Sequence, residues 1–507
     1  MTNMTSGMKQ REKEGVEEFD KEKMESRGVK SWRNFTKQAT KRICNFLVIL
    51  FLMLSIYILS NIKAHYCQAA YGKLRAPLKL EQASAEVKQL TEESRSNSTD
   101  DLYAEDEDAE EDSAIYSHKP ICRESNKRSD TCDARGDLRV QVSSNTIFVS
   151  SAQQEWKIKP YARKGDVGAL SHVSEWSLKP FGSSTNNQQI PNCTVKQTVL
   201  AVIFSVNGYT GNIFHDFTDV LIPLFISSHQ FHGQVQFLVT DVKQWWLNKY
   251  KLILKHLSSY EIINLQSDGR EIIRCFPRVI IGLQFHKELG IDSAKSPTGY
   301  SIVDFKVLLR KAYGLERADT MSSVFQGSVR KPRLLIISRK RSRSFVNEKG
   351  IVEMAMSLGF DVRVAESDLS TDLSKFGRLV NSADVLFGVH GAGLTNMLFL
   401  PAGAVVIQVV PFGGPEWLAR ETFRKPINDL ELKYLEYRIE LEESTLIDQY
   451  PRDHPVLKDP DSVTKLGWNA FREVYLDKQN VSPHLGRLKE TFLQALKLLP
   501  KRSTSAI

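Results

Sequence analysis

The 507-residue sequence lacks the signatures of several large enzyme classes. No GxxxxGK[ST] phosphate loop is present, which removes a P-loop ATPase. The first strand–helix turn of the second half reads SRKRSR, without a glycine, so a dinucleotide oxidoreductase fits poorly. Acid pairs of the DxD type are nearly absent. DED (Asp106 to Asp108) lies in an acidic run, and DPD (Asp459 to Asp461) reads as a turn in a Pro-rich loop. Chemistry without an obligatory metal or cofactor is the expectation. Charge of one sign is also lacking: 68 Lys and Arg face 60 Asp and Glu, and a net +8 this unevenly spread gives no case for nucleic acid. Internal repeats and coiled-coil heptads are absent.

Long apolar runs are scarce, with one exception. ICNFLVILFLMLSIYILS, Ile43 to Ser60, holds 18 residues without a charge, about enough to cross a bilayer. It starts too far in, and runs too long, for a cleaved signal peptide. Lys30, Arg33, Lys37, Lys41 and Arg42 precede it with no acid among them. That predicts a single-span type II protein, with residues 1–42 cytosolic and the C-terminal bulk in a lumen. Residues 61–118 are rich in Glu, Asp, Ser and Lys and read as a disordered stem. Cysteine is also sparse. Past the anchor's flank only Cys122, Cys132, Cys193 and Cys275 remain, an even number that suggests two disulfides in an oxidising compartment. Of three possible pairings, Cys122–Cys132 with Cys193–Cys275 is favoured. Asn97, Asn192 and Asn480 head glycosylation sequons.

What is there in strength is strand–helix alternation. In the first half, 119–320, buried-strand patterns fall at Thr198 to Asn207, Val235 to Asp241, Glu261 to Leu265 and Arg274 to Leu283, after short strands over 136–160. A helix is expected over Gly211 to Ser228, kinked or interrupted by Pro223, and others near 246–259 and 304–315. In the second half, 321–482, strands are expected at Arg333 to Arg339, 361–365, Ala383 to Val389 and Ala404 to Val410, with helices near 347–358 and 372–383. The pattern predicts an α/β fold with two Rossmann-like units of parallel, doubly wound sheet facing a cleft, ligands at the strands' carboxyl ends. A C-terminal helix over 483–499 is expected to pack back across the first half.

Several residues at strand ends could carry chemistry. Arg339 and Arg343 follow a buried strand, and guanidinium groups suit a phosphate through paired hydrogen bonds. The alternative is an exposed basic loop. The run GVHGAGLTN places His390 in a tight turn with Gly391 and Gly393. A helix starting near Ala392 would turn its free N–H groups toward an anion such as a diphosphate. His390 and Asn396 could bind phosphate or ribose, or hold the turn. His215, Asp216 and Asp219 sit together, His215 and Asp219 on one helical face, where a carboxylate can orient an imidazole as general base. A capping and packing pair is the other reading.

FSVNGYTGNIFHDFTDVLIPLF, RCFPRVIIGL, LLIISRKRSRSFVN, FGVHGAGLTNMLFLPAGAVVIQVVPFG and LEYRIELEESTLIDQYPRDHPV, in that order, resemble plant glycosyltransferase family 61, over about residues 120–500. The resemblance is strongest to xylan arabinosyl- and xylosyltransferases. It implies an inverting enzyme of GT-B architecture, anchored in the Golgi membrane, that transfers a pentose from a UDP-sugar to xylan. A complex with other xylan-synthesis enzymes is compatible with it. Animal relatives share the pattern Asn, two residues, His, three residues, Asp, which here falls on Asn212, His215 and Asp219, with Asn212 toward the acceptor. Arg339, Arg343 and the 390–396 turn would hold the diphosphate, and Glu416 and Trp417 the sugar. A non-catalytic glycan-binding or scaffold protein with the same fold, or a transferase for another acceptor, is the alternative.

Overall fold

The computed structural model describes residues 121–500 apart from 127, 151–153, 181–189, 268, 270, 321–329 and 367–369. The expected tail, anchor, stem and Asn97 sequon lie outside the described residues. Among the described residues no helix is long and apolar enough to cross a membrane.

The second half is built on a five-stranded sheet in the order β12-β11-β13-β14-β15. Its strands are β11 (Arg333–Ile337), β12 (Asp361–Ala365), β13 (Val385–Val389), β14 (Val405–Val410) and β15 (Lys433–Arg438), every neighbouring pair parallel. Alternate residues face opposite layers, as a strand's period of two requires. Leu335, Ile337, Leu386 and Val406 join the core shared with the first half. Leu334, Ile336, Phe387 and Ile407 face a separate outer core.

The first half is a mixed sheet of ten strands, where a parallel one was expected. Its central strands β10 (Ile273–Ile281), β7 (Leu200–Ser205), β8 (Val235–Thr240) and β9 (Ile263–Asn264) are parallel, and β6 (Val195–Lys196) pairs parallel to β10. Beyond β10 the long β2 (Ser129–Gln141) runs antiparallel, with β1 (Ile121–Asn126) and β3 (Thr146–Val149) antiparallel to it. The sheet continues through β5 (Trp176–Pro180) to β4 (Trp156–Ile158) at its edge. The short links between β1, β2 and β3 leave no room for the crossover that a parallel connection needs, so hairpins form. Both favoured disulfides are present: Cys122–Cys132 staples a directly opposed β1–β2 pair, and Cys193–Cys275 ties the approach to β6 onto β10.

The helix α1 spans 213–228 and does not break at Pro223. Ile213–His215 is α-helical, Asp216–Leu221 widens into a π-turn, and Ile222–Ser228 resumes the α-helix. Pro223 has no N–H to give the carbonyl four residues back. The wider turn just before it, in which Ile222 N–H donates to the Phe217 carbonyl, absorbs that mismatch.

Four further helices position the site: α2 (Gln244–Leu257), α3 (Ile302–Tyr313), α4 (Glu348–Ser357) and α5 (Leu373–Asn381). The C-terminal helix α6 (Leu485–Leu498) lies on the second half, where the first was expected. Its stripe Leu488, Phe492 and Ala495 fills the outer core of the second sheet, with the Phe492 ring 5.1 Å from that of Phe387. An apolar stripe goes where the uncovered sheet face is.

Each sheet has one place where the chain reverses its direction of travel, and such points gather ligands. In the second sheet it lies between β11 and β13, whose ends lead into the 338–343 loop and the 390–393 turn. In the first it lies between β7 and β10, whose ends lead into α1 and the 282–288 loop.

Candidate active site

The first cluster is centred on Asp219, which is 0% exposed. The Arg163 guanidinium donates to both of its oxygens, at 2.8 and 3.0 Å. The Tyr161 hydroxyl donates to Oδ2 at 3.0 Å, and Arg128 to Oδ1 at 3.3 Å. His215 Nδ1 lies 2.8 Å from Oδ2. A carboxylate in this setting only accepts, so Nδ1 carries a proton, and in the neutral imidazole Nε2 then holds the lone pair. Burial alone would raise the Asp219 pKa. The hydrogen bond from His215 and the Arg163 charge outweigh it and hold the carboxyl below its ordinary value. Asp219 is thereby kept ionised, as the group that orients His215. The imidazole is partly exposed, its side chain at 17%, and packs against Tyr209 at 4.8 Å between centroids.

The antiparallel course of β2 is what delivers Arg128. Cys132, near its start, pairs with Ile281 at the end of β10, which brings residue 128 to the switch point. Tyr161 and Arg163 arrive on a loop whose Pro160 carbonyl accepts from Ser205 N–H at the end of β7. Glu288 then links Arg128 to the Thr218 hydroxyl.

Asp216 stands apart from this group. It is fully buried, and its oxygens accept from Trp246 Nε1 at 2.9 Å, Tyr250 hydroxyl at 2.8 Å and Gly211 N–H at 3.2 Å. Burial pushes its pKa up. These bonds fasten α1 to α2, so Asp216 is placed as a brace. Asn212 is the N-cap of α1, accepting from Phe214 N–H at 3.1 Å, and is otherwise exposed.

The second cluster is cationic. Arg339 and Arg343 converge on Gly391. A Cβ there would lie 2.9 Å from Arg343 Nη1 and 3.0 Å from Arg339 Nη1, and the backbone has φ +146°. Only glycine permits both the turn and this approach. Gly393 has a different reason, since a Cβ would meet Ile337 at 2.9 Å. Among the described residues neither guanidinium pairs with a carboxylate. Arg339 Nε donates to the Ser342 carbonyl at 2.8 Å and Arg343 Nη1 to the His390 carbonyl at 3.0 Å, while Arg343 Nε is buried without a partner. Burial, then the adjacent Arg339, lower the Arg343 pKa to about 9, so it is still a cation at neutral pH.

His390 is 3% exposed, and burial with the two arginines lowers its pKa to about 3. It is a neutral imidazole. Gln408 Nε2 lies 2.7 Å from its Nδ1, and Tyr434 hydroxyl lies 2.9 Å from Gln408 Oε1. The Tyr434 hydroxyl also lies 3.0 Å from Glu436 Oε2, so a side-chain relay runs from His390 through Gln408 and Tyr434 to Glu436. Residues 392–399 form a 3-10 helix, tighter than the expected α-helix, and Asn396 Nδ2 donates to the Gly393 carbonyl to hold the turn. Glu416 begins the short helix Glu416–Ala419, and Trp417 beside it is 45% exposed.

Phe423 connects the clusters. Its ring lies 5.7 Å from Phe214, the neighbour of His215, and 5.6 Å from His390. Of the sequons, Asn192 is exposed, whereas Asn480 is half-buried with Oδ1 accepting from Ser344 N–H and hydroxyl at 3.0 and 2.8 Å.

A glycosyltransferase 61 model matches residues 213–407. The beta-1,2-xylosyltransferase XYXT1 of Oryza sativa subsp. japonica is 38% identical over 75% of this chain and 84% of its own length. The chain belongs to glycosyltransferase family 61. Two further relatives are glycosyltransferases by name. The alpha-1,3-arabinosyltransferase XAT3 of the same rice is 45% identical over 75% of this chain, and the xylan glycosyltransferase MUCI21 of Arabidopsis thaliana 36% over 74% of this chain and 78% of its own. The match spans just under two thirds of XAT3, 65% of its length. The family 61 match opens on the helix of His215 and closes in β14, taking in His215, Asp219, Arg339, Arg343 and the 390–393 turn. Arg128, Tyr161 and Arg163, which fix Asp219, precede it.

Proposed function

We propose that this protein is an inverting glycosyltransferase that moves a pentose, arabinofuranose or xylose, from a UDP-sugar onto xylan. The observation that carries the proposal is the pair of half-buried guanidinium groups converging on Gly391 without a carboxylate partner among the described residues. Two uncompensated cations in a low-dielectric site favour a doubly charged anion. A diphosphate at the switch point between β11 and β13 supplies one. Relatives whose names specify xylose or arabinose transfer support the pentose, and the name of MUCI21 supports xylan.

In this reading the acceptor hydroxyl oxygen attacks the anomeric carbon, and its proton passes to His215 Nε2. The bond from the anomeric carbon to the diphosphate oxygen breaks, with inversion. The negative charge that develops on UDP is met by Arg339 and Arg343, the preorganised electrostatics that often dominate catalysis. Two sheets that each carry a switch point support the GT-B reading, and the mechanism we propose uses no metal. The apolar run 43–60 and the two disulfides support a Golgi-anchored, luminal catalytic region, with xylan-synthesis enzymes as neighbours.

The test incubates the purified protein with xylo-oligosaccharides and a panel of UDP-sugars, with and without EDTA, and reads product mass and linkage. Pentose addition that survives EDTA is expected. UDP binding by folded protein without transfer from any donor would overturn the enzymatic reading.

A further inference from the structure

Tryptophan is a poor residue to leave in water, yet two stand exposed together on the second half. Trp417 is 45% exposed and Trp468 49%. Both rings lean on one buried ring, Phe471, at 6.4 and 5.7 Å between centroids. Phe471 in turn packs on buried Tyr475, 5.8 Å away. The indoles are therefore held by a core beneath them while their outer faces stay open, and Leu466, two residues before Trp468, is 78% exposed.

Most charges around the patch are paired, four cations against three acids. Arg420 and Lys425 pair with Glu421, Arg472 with Asp477, and Lys478 with Glu473. A rim of paired charges with little net excess suits an uncharged, polyhydroxylated partner better than an anionic polymer or lipid surface. Pyranose rings present flat C–H faces that stack on indoles, as other flat apolar faces do.

The patch is also joined to the cationic cluster. Trp417 follows the Phe412–Gly414 turn at the end of β14. Tyr475 packs so closely on Gly413 that a Cβ there would overlap its ring. Four residues later Gln479 clips both sides of the site: its side chain bonds Phe412 N–H and carbonyl, each at 2.9 Å, and its carbonyl accepts from Arg343 N–H at 2.7 Å.

We infer that Trp417 and Trp468 form a stacking platform for a neutral glycan chain, holding a polymeric acceptor beyond the sugar that reacts. The inference deepens the proposed function and rests on it for the word acceptor; glycan binding itself does not depend on it. The test uses the full chain, with xylotriose, xylohexaose and polymeric xylan as probes. Binding is read by tryptophan fluorescence and by retardation in xylan-containing gels, and transfer separately. Trp468→Ala is expected to weaken xylohexaose binding at least fivefold and abolish gel retardation. Xylotriose transfer and UDP affinity should hold, and Trp468→Phe should restore most polymer binding. Equal loss on xylotriose and xylohexaose would overturn the platform, as would unchanged xylan retardation. A shift in oligomeric state on Trp468→Ala without a change in glycan binding would assign the patch to a second copy instead. Glycan binding without transfer would sink the proposed function and leave the platform standing.

Discussion

The two clusters handle charge in opposite ways. Around Asp219 every charge is answered: two arginines, a tyrosine, and an imidazole converge on one buried carboxylate. Around Gly391 the charges are left open, with two half-buried arginines and a neutral histidine that meet only backbone oxygens and an amide. The first arrangement is complete without a ligand and serves to aim His215. The second is destabilised until an anion arrives. Buried polar groups with incomplete partners mark where a ligand finishes the structure.

Removing the answer in the first cluster should have the largest effect. Asp219→Asn leaves Arg163 and Arg128 facing an amide, and breaking a buried ionic group in this way costs about 3–5 kcal/mol. Chemical denaturation should show that loss, with transfer falling as well because His215 is no longer oriented. A wild-type midpoint would show that the charges are not coupled to the fold. His215→Ala keeps the carboxylate and its arginines. We expect kcat to fall by roughly 10²–10⁴, the usual scale for a general base, with the unfolding midpoint near wild type. Full activity would remove His215 from the chemistry.

The second cluster should respond in the opposite sense. Arg343→Ala removes an uncompensated, half-buried cation, so the free protein should be no less stable, while transition-state stabilisation drops by about 2–4 kcal/mol. Arg343→Lys should not rescue it, because a point charge lacks the planar fork. If Arg343→Ala instead unfolds the chain, the cluster is structural and the contrast fails.

A smaller effect is expected with pH. The His390 pKa falls from 6.5 to about 3 on folding, so between those values the unfolded chain binds a proton that the folded chain does not. This contribution is fully present above pH 6.5 and is lost as pH falls, with a slope of about 1.4 kcal/mol per unit. Denaturation of wild type and His390→Asn across that range should show a shallower acid slope in the variant; parallel curves would mean that His390 is not buried as described.

Much of the second half was legible in its sequence, because parallel buried strands read as unbroken apolar runs and a glycine turn has a reason to be glycine. Gly391 is needed because two guanidinium groups press on its Cα. The first half was legible only in its parallel strands. Its antiparallel margin, and with it Arg128, Tyr161 and Arg163, escaped because those residues lie 56 to 91 positions from Asp219 and show no local pattern. Spacing put His215 and Asp219 on one face but could not tell Asp219 from Asp216, since only the positions of Trp246 and Tyr250 decide which carboxylate is a brace. The direction of α6 was misread because its apolar stripe fits either sheet until the uncovered face is known. Trp468 had no motif around it, and its exposure is visible only in three dimensions.

The most direct test of the account is calorimetric titration of UDP into wild type, Arg343→Ala and His215→Ala. The account predicts at least a tenfold loss of affinity for Arg343→Ala and wild-type affinity for His215→Ala, although the latter no longer transfers sugar. Wild-type UDP affinity in Arg343→Ala would contradict it, since the open charges around Gly391 would then not be where the nucleotide binds.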